Sequence, residues 1–246
     1  MKTATIVKLP LLLMVIILMT GFIPASHTSI GKINFILGSS NDVTIKRAGQ
    51  PDWQNAKLYS PIYNGDQIKT KKESRCETKL NEQGVIRIGE NTTFTFQNDQ
   101  INKNFNAEIV NGRLWANIQK LSRRSHFQVR TPTAVCSIRG TIYRIDADSS
   151  TKVMVYQGSV DVGPLWAVKT DTSSSREQKS YQPPFEVPGP TQVPGPFEVS
   201  LEQWVRIVAG QQIEVRADGK YYQSKIDQQL DQEDDWVKWN RERDGI

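Results

Sequence analysis

Two histidines, His27 and His126, and two cysteines, Cys76 and Cys136, are all the imidazole and thiol in a chain of 246 residues. Zinc fingers, zincins, multi-cysteine iron–sulfur sites and disulfide-dense scaffolds are therefore excluded. Neither cysteine has a histidine near it in sequence, which removes the usual means of activating a thiol nucleophile. Acids number 26, but no spacing among them singles out an acid–base pair. Gly65-Asp66 reads as a turn rather than a calcium loop, because calcium needs several oxygen ligands and the nearby lysines oppose a cation. No catalytic residue, metal ligand or cofactor is expected.

The residues that could bind are of other types. Arg139, beside Gly140 and Thr141, offers five donors and could grip a carboxylate or sugar hydroxyls. The preferred reading is structural: Arg139 bonds nearby carbonyls, Gly140 supplies a bulge and Thr141 continues the strand. Trp236 and Trp239, three apart in a helix-like segment, would project together and could anchor a partner, or could dock on the rest of the chain. Cys76 shares its parity with Thr78 and Leu80, and Cys136 with Ala134 and Ile138, so both are expected to face a core. They could form a disulfide closing a loop of about 60 residues, worth about 4 kcal/mol of chain entropy, or remain two separate buried thiols.

The elements that would position these residues are strands. Short alternating bursts such as Val43/Ile45, Ile86/Ile88, Phe94/Phe96, Leu114/Ala116/Ile118 and Phe127/Val129 are punctuated by glycine, asparagine or polar stretches. The pattern predicts an all-β fold, a sandwich or solenoid-like stack of short strands. Around Arg139-Gly140 the buried parity slips by one residue, from Ala134, Cys136 and Ile138 to Tyr143 and Ile145. A bulge at Gly140 would return both sets to one face. Val153/Val155 and Val160/Val162 read as two strands hinged at Gly158.

Residues 1–25 run from lysines through an apolar stretch to Gly21, Pro24 and Ala25, the order of a signal peptide cleaved near Ala25. Localisation is then periplasmic or extracellular, with membrane contact only through that segment if it is uncleaved. Its removal lowers the net charge of +5 by two, and neither this balance nor an exported location favours nucleic acid. Lys69, Lys71, Lys72, Arg75 and the Arg123–Arg124 pair read as solvated strand edges. The β domain is expected over 26–163, then a Ser/Pro-rich linker over 164–200 holding six of the twelve prolines. Closing strands follow over 201–222. A C-terminal helix over 223–246 would put Ile226, Leu230 and Val237 on one face.

The string Val129, Thr131, Pro132, Ala134, Ile138, Arg139, Gly140, Thr141, Tyr143, Ile145, then Val155, Gly158, Val160 and Val162, resembles the FecR domain. That family's hallmark reads approximately V-x-T-P-x-A-x-x-x-V-R-G-T-x-F-x-V followed by V-x-V-x-x-G-x-V-x-V. Trp53, Gly65, Asp66, Ile68 and Thr70 upstream, and Gly210-Gln211 downstream, fit the same resemblance. It implies an all-β periplasmic domain that works through protein contacts without a catalytic site. The best understood members add a cytoplasmic anti-sigma segment and a transmembrane helix. With about 25 residues before the body, a stand-alone exported form is expected here. The functional expectation is thus a non-enzymatic protein contacting an unidentified envelope protein, in signalling or regulation. The alternative, motivated by six tryptophans and seven tyrosines, is a module binding envelope polysaccharide or peptidoglycan.

Overall fold

A computed structural model describes residues 28–81, 84–99, 104–119, 127–167, 199–201 and 203–246. The expected signal peptide, His126, the Arg123–Arg124 pair and nearly all of the linker lie outside them. The chain is mostly β, and the described residues form 18 strands joined in one hydrogen-bonded network.

One long strand organises the network. Strand β9 (Asn104–Ile118) pairs through its first half with β8 (Thr93–Asp99) and β10 (Phe127–Arg130), and through its second half with β7 (Gly84–Ile88) and β12 (Thr141–Ala147). The network therefore divides into two layers. Layer A runs from β4 (Pro61–Ile62) through β1 (Gly31–Leu37), β6 (Arg75–Leu80), β7, β9 and β12. It continues through β13 (Ser150–Gln157), β17 (Gln211–Arg216) and β18 (Lys220–Lys225) to β15 (Val199–Ser200). Layer B runs from β3 (Trp53–Asn55) through β2 (Val43–Lys46), β5 (Gln67–Thr70), β8, β9 and β10 to β11 (Val135–Ile138), β14 (Ser159–Gly163) and β16 (Val205–Val208). Only β9 and β10 pair in parallel among the described strands.

The alternating bursts become the core. Ile33, Ile86, Leu114, Tyr143, Ile145 and Val153 of layer A and Ile45, Phe94, Phe127, Val129, Ile138 and Val160 of layer B belong to one buried cluster. At about 25 cal/mol per Å² of apolar area, two such inner faces supply the main stabilisation. Gly112 marks the change of layer within β9: its φ is 103°, and a Cβ there would lie 2.1 Å from the Thr92 hydroxyl oxygen.

The parity slip has a different cause from the expected bulge. Strands β11 and β12 belong to opposite layers, and Arg139-Gly140 is the corner between them, with Gly140 at φ 118°. A chain that leaves one layer and enters the other must reset its pleat to keep apolar side chains inside, and glycine tolerates the necessary backbone. The local irregularity in β12–β13 pairing lies just beyond, between Ile142 and Tyr143.

The expected single C-terminal helix is also revised. Strand β18 extends to Lys225, and two short helices follow, α1 (Gln228–Glu233) and α2 (Asp235–Asp244). Asp227 caps α1 through the Gln229 and Leu230 N–H groups, and Asp234 caps α2 through the Trp236 N–H. The acid that starts the second helix ends the first, because its own backbone is extended. The break leaves Leu230 67% exposed while Val237 is fully buried, so the three-residue apolar face does not form.

Candidate functional site

The hallmark residues build a joint. Thr141 Oγ1 donates to the Ser159 carbonyl at 2.8 Å, tying the corner to β14. Gly158, at φ 82°, sits so close that a Cβ would lie 2.6 Å from the Gly140 carbonyl oxygen. Thr131 Oγ1 donates to the Ala134 carbonyl and accepts from the Ala134 N–H, both at 2.9 Å, closing the turn around the exposed Pro132. Tyr143 is fully buried, its hydroxyl has no hydrogen-bond partner among the described residues, and burial raises its pKa well above the usual phenol value. Arg139 stands exposed at the corner and has no hydrogen bond or ion pair among the described residues, so the expected carbonyl bonds are not made.

Asp66 is a turn staple. Nearly fully buried, it accepts from Arg47 Nη1 at 2.6 Å, from the Tyr63 N–H at 2.9 Å and from the Ala48 N–H at 3.1 Å. Cys76 and Cys136 are fully buried free thiols in this structure, one in β6 of layer A and one in β11 of layer B. Burial raises both, Cys136 to about 12, so the thiolate needed for nucleophilic chemistry is disfavoured.

The densest constellation lies where the helices meet the outer face of layer A. Trp115 and Ile142 of the sheet and Trp236 and Val237 of α2 form a second buried cluster, with Tyr156 and Trp239 packed against it. The Trp236 and Trp239 rings stack at 5.5 Å, Trp115 stacks on Tyr156 at 4.5 Å, and Arg75, Arg113 and Arg243 lie over the indoles. Trp236 and Trp239 thus anchor the helix to its own β body, the docking alternative.

Charge follows the same seam. Arg87 Nε donates to Glu77 at 2.7 Å and its Nη2 to Asp244 at 2.7 Å, and the three side chains are almost completely buried. Asp244 also accepts from the Trp115 indole N–H at 2.8 Å. Arg113 meets Asp234 and Asp146, Arg144 meets Asp231, Asp234 and Asp146, and Arg75 meets Asp235 rather than standing as a solvated edge charge. Burial alone would raise the Glu77 carboxyl, but hydrogen bonds from Arg87, Arg243 and Asn34 outweigh it and hold the pKa below its usual value. At Asp234 burial acts in the same direction and is outweighed by Arg113 and Arg144.

The sequence reading missed this network of Arg87, Arg113, Arg144 and their acids. The available signal was a charged residue at outward parity inside an apolar burst, as with Arg87 between Ile86 and Ile88 and Arg144 between Tyr143 and Ile145.

Comparison with known proteins agrees with the hallmark. Residues 66–161, from the Asp66 staple through both strands beside the corner, match the family model described as FecR protein. Over that segment the chain is similar to a FecR domain. Two crystal structures, at 1.65 and 2.50 Å, of a protein from Parabacteroides distasonis titled provisionally as an anti-sigma factor resemble the chain. Each is 17% identical with a TM-score of 0.47, and the match covers 66% of this chain and 61% of that one. No curated protein matches the chain. A FecR domain fits a signalling or regulatory protein. Among the described residues no helix is long and apolar enough to cross a membrane.

Proposed function

We propose that the chain is an exported, non-enzymatic FecR-domain protein that acts through protein contacts in the cell envelope, in signalling or regulation. The observation that supports this best is the FecR match over 66–161, a family of membrane-associated regulators with periplasmic domains. The hallmark residues serve the joint between layers, so contact surfaces rather than a reaction centre are the natural sites of action. Pull-down from envelope extract with the mature protein tests the reading, in parallel with mass spectrometry that should find a start within a few residues of Ser26. A retained Met1, or turnover of a glycan or peptide without partner recovery, would move the protein to another class.

A second reading, binding of envelope polysaccharide or peptidoglycan, draws support from the outer face of layer B. Gln97, Asn106, Gln128, Ser137, Asp161 and Arg206 stand in lateral register across six strands. Strands are spaced at about 4.8 Å, so this row presents amide, hydroxyl and charged groups at regular steps. Trp53, at one end of the layer, is 39% exposed, and Trp204, 42% exposed, lies over Gly163 near the other. Retention on purified peptidoglycan that is lost in Gln128→Ala and Trp204→Ala would favour this reading over the first.

A further inference from the structure

Every arginine at the seam between the helices and layer A meets a carboxylate except one. Arg75, Arg87, Arg113, Arg144 and Arg243 are ion-paired, whereas Arg241 has no ion pair or hydrogen bond from its side chain among the described residues. Its guanidinium lies over the Tyr156 ring at 5.4 Å, and its Nε is buried without a partner. An unsatisfied buried donor is costly and calls for an explanation.

The same arginine lines a partly open cavity of about 200 Å³, with Val155 and Tyr156 of β13, the Gly210 turn, Ile226, and Gln228, Asp231 and Gln232 of the α1 segment. Its walls hold one unpaired cation and two primary amides. The Tyr156 hydroxyl is already committed, donating to Asp231 at 2.8 Å, and the Asp231 charge is met by Arg144 at 3.2 Å. The lining side chain left over is thus the Arg241 guanidinium, whose geometric complement is a planar acceptor with a negative charge.

We propose that this cavity binds a compact monocarboxylate, with Arg241 as its principal donor and the Gln228 and Gln232 amides as supplementary donors. Guanidinium and carboxylate match as two parallel hydrogen bonds. Asp231 on the wall disfavours a second negative charge, so a phosphate dianion fits worse than a monoanion. Because the walls come from β13, the Gly210 turn, α1 and α2, an occupant would tie both helices to the body, and binding should stabilise their docking. The site goes beyond the protein-contact reading and can fail without affecting it.

The test uses the full mature chain at pH 7 and constant ionic strength, titrated with sodium acetate and sodium propionate against sodium chloride and sodium phosphate, by calorimetry and thermal melting. Saturable acetate or propionate binding with a rise in Tm is expected, with phosphate at least tenfold weaker. Arg241→Gln should lose at least tenfold in affinity, and Arg241→Lys, which keeps the charge but not the fork, should fall between. Each variant is compared with itself with and without ligand, so a change in its basal stability does not obscure the result. Absence of saturable binding, equal binding by Arg241→Gln, or phosphate binding as well as acetate would overturn the proposal.

Discussion

The outer faces of the two layers start from the same strand pattern and end in opposite states. On layer A, the lateral row Glu77, Arg87, Trp115 and Arg144 lies beneath the helix pair, and its charged members are at most 8% exposed. On layer B, Gln97, Asn106, Gln128, Ser137, Asp161 and Arg206 occupy equivalent outward positions and remain half-buried or exposed. The inward residues do not explain the difference, since both layers share one core. The outward residues do: layer A presents arginines and a tryptophan that α1 and α2 answer with acids and indoles, whereas layer B presents amides, a serine hydroxyl and an Arg206–Asp161 pair that satisfies itself, with little apolar area to bury. Two helices of this length have no stability of their own in water, so their existence depends on that complementarity.

The most severe test removes the joint that gives the molecule two faces. Gly112→Val places a branched side chain at φ 103° against Thr92, and should cost more than about 4 kcal/mol. Failure to recover folded protein is the expected result, and a variant with wild-type denaturant midpoint would refute the bend. Next, Arg87→Ala leaves the buried Asp244 carboxylate with the Trp115 N–H but without its cation, and leaves Glu77 to Arg243 and Asn34, for an expected loss of about 3–5 kcal/mol. Trp236→Ala, a truncation at a 3% exposed position, should cost about 3 kcal/mol. Trp53→Ala on the other layer, at an exposed position, should stay within about 0.5 kcal/mol. Equal losses for the two tryptophans in urea unfolding would erase the distinction between the faces.

Much of this architecture was legible in the sequence. Ile86/Ile88, Phe94/Phe96 and Phe127/Val129 announce strands because a half-buried pleat requires period two, and each pair is buried as expected. The hallmark around Arg139-Gly140-Thr141 was legible as a family resemblance, and the parity slip correctly marked a backbone event. Its form was not legible: alternation reports which side of a strand is wet, not which layer the next strand joins, so a corner resembled a bulge. The Arg87 and Arg144 network was hidden for a related reason. An outward arginine reads as solvated unless its partner is known, and Asp231, Asp234 and Asp244 lie 87 to 157 residues away along the chain in these contacts. The break between the helices has a sequence signal in Asp227 and Asp234, both good N-cap residues, but the apolar spacing of Ile226, Leu230 and Val237 runs straight across it.

Acid should separate the faces more gently than mutation. Glu77 and Asp234 have folded-state pKa values below their ordinary ones, so the unfolded chain binds more protons as pH falls through the carboxylate range. The stability they add is present above about pH 4, their ordinary range, and is lost as pH drops through the lowered folded values. Tryptophan fluorescence should therefore report undocking of Trp236 and Trp239 below about pH 4, before the far-UV signal of the strands is lost. Simultaneous loss of both signals would mean that the helix pair and the β body unfold as one unit.

The smallest expected effect isolates burial from geometry. Arg206 and Asp161 on layer B form a two-pronged pair at 2.6 and 2.9 Å, as well made as the Arg87 contacts at 2.7 Å. The hydrogen bond to Asp161 raises the Arg206 pKa, but the Arg206 side chain is 68% exposed, against 4% for Arg87. Water and salt screen the first pair and scarcely reach the second. Arg206→Ala should therefore leave the melting temperature unchanged within error at 0.15 M salt, because Asp161 regains hydration when its partner is lost, whereas Glu77 and Asp244 have no water to turn to. If Arg206→Ala lowered the melting temperature as much as Arg87→Ala, hydrogen-bond geometry rather than burial would govern both faces, and the covered state of layer A would need another cause.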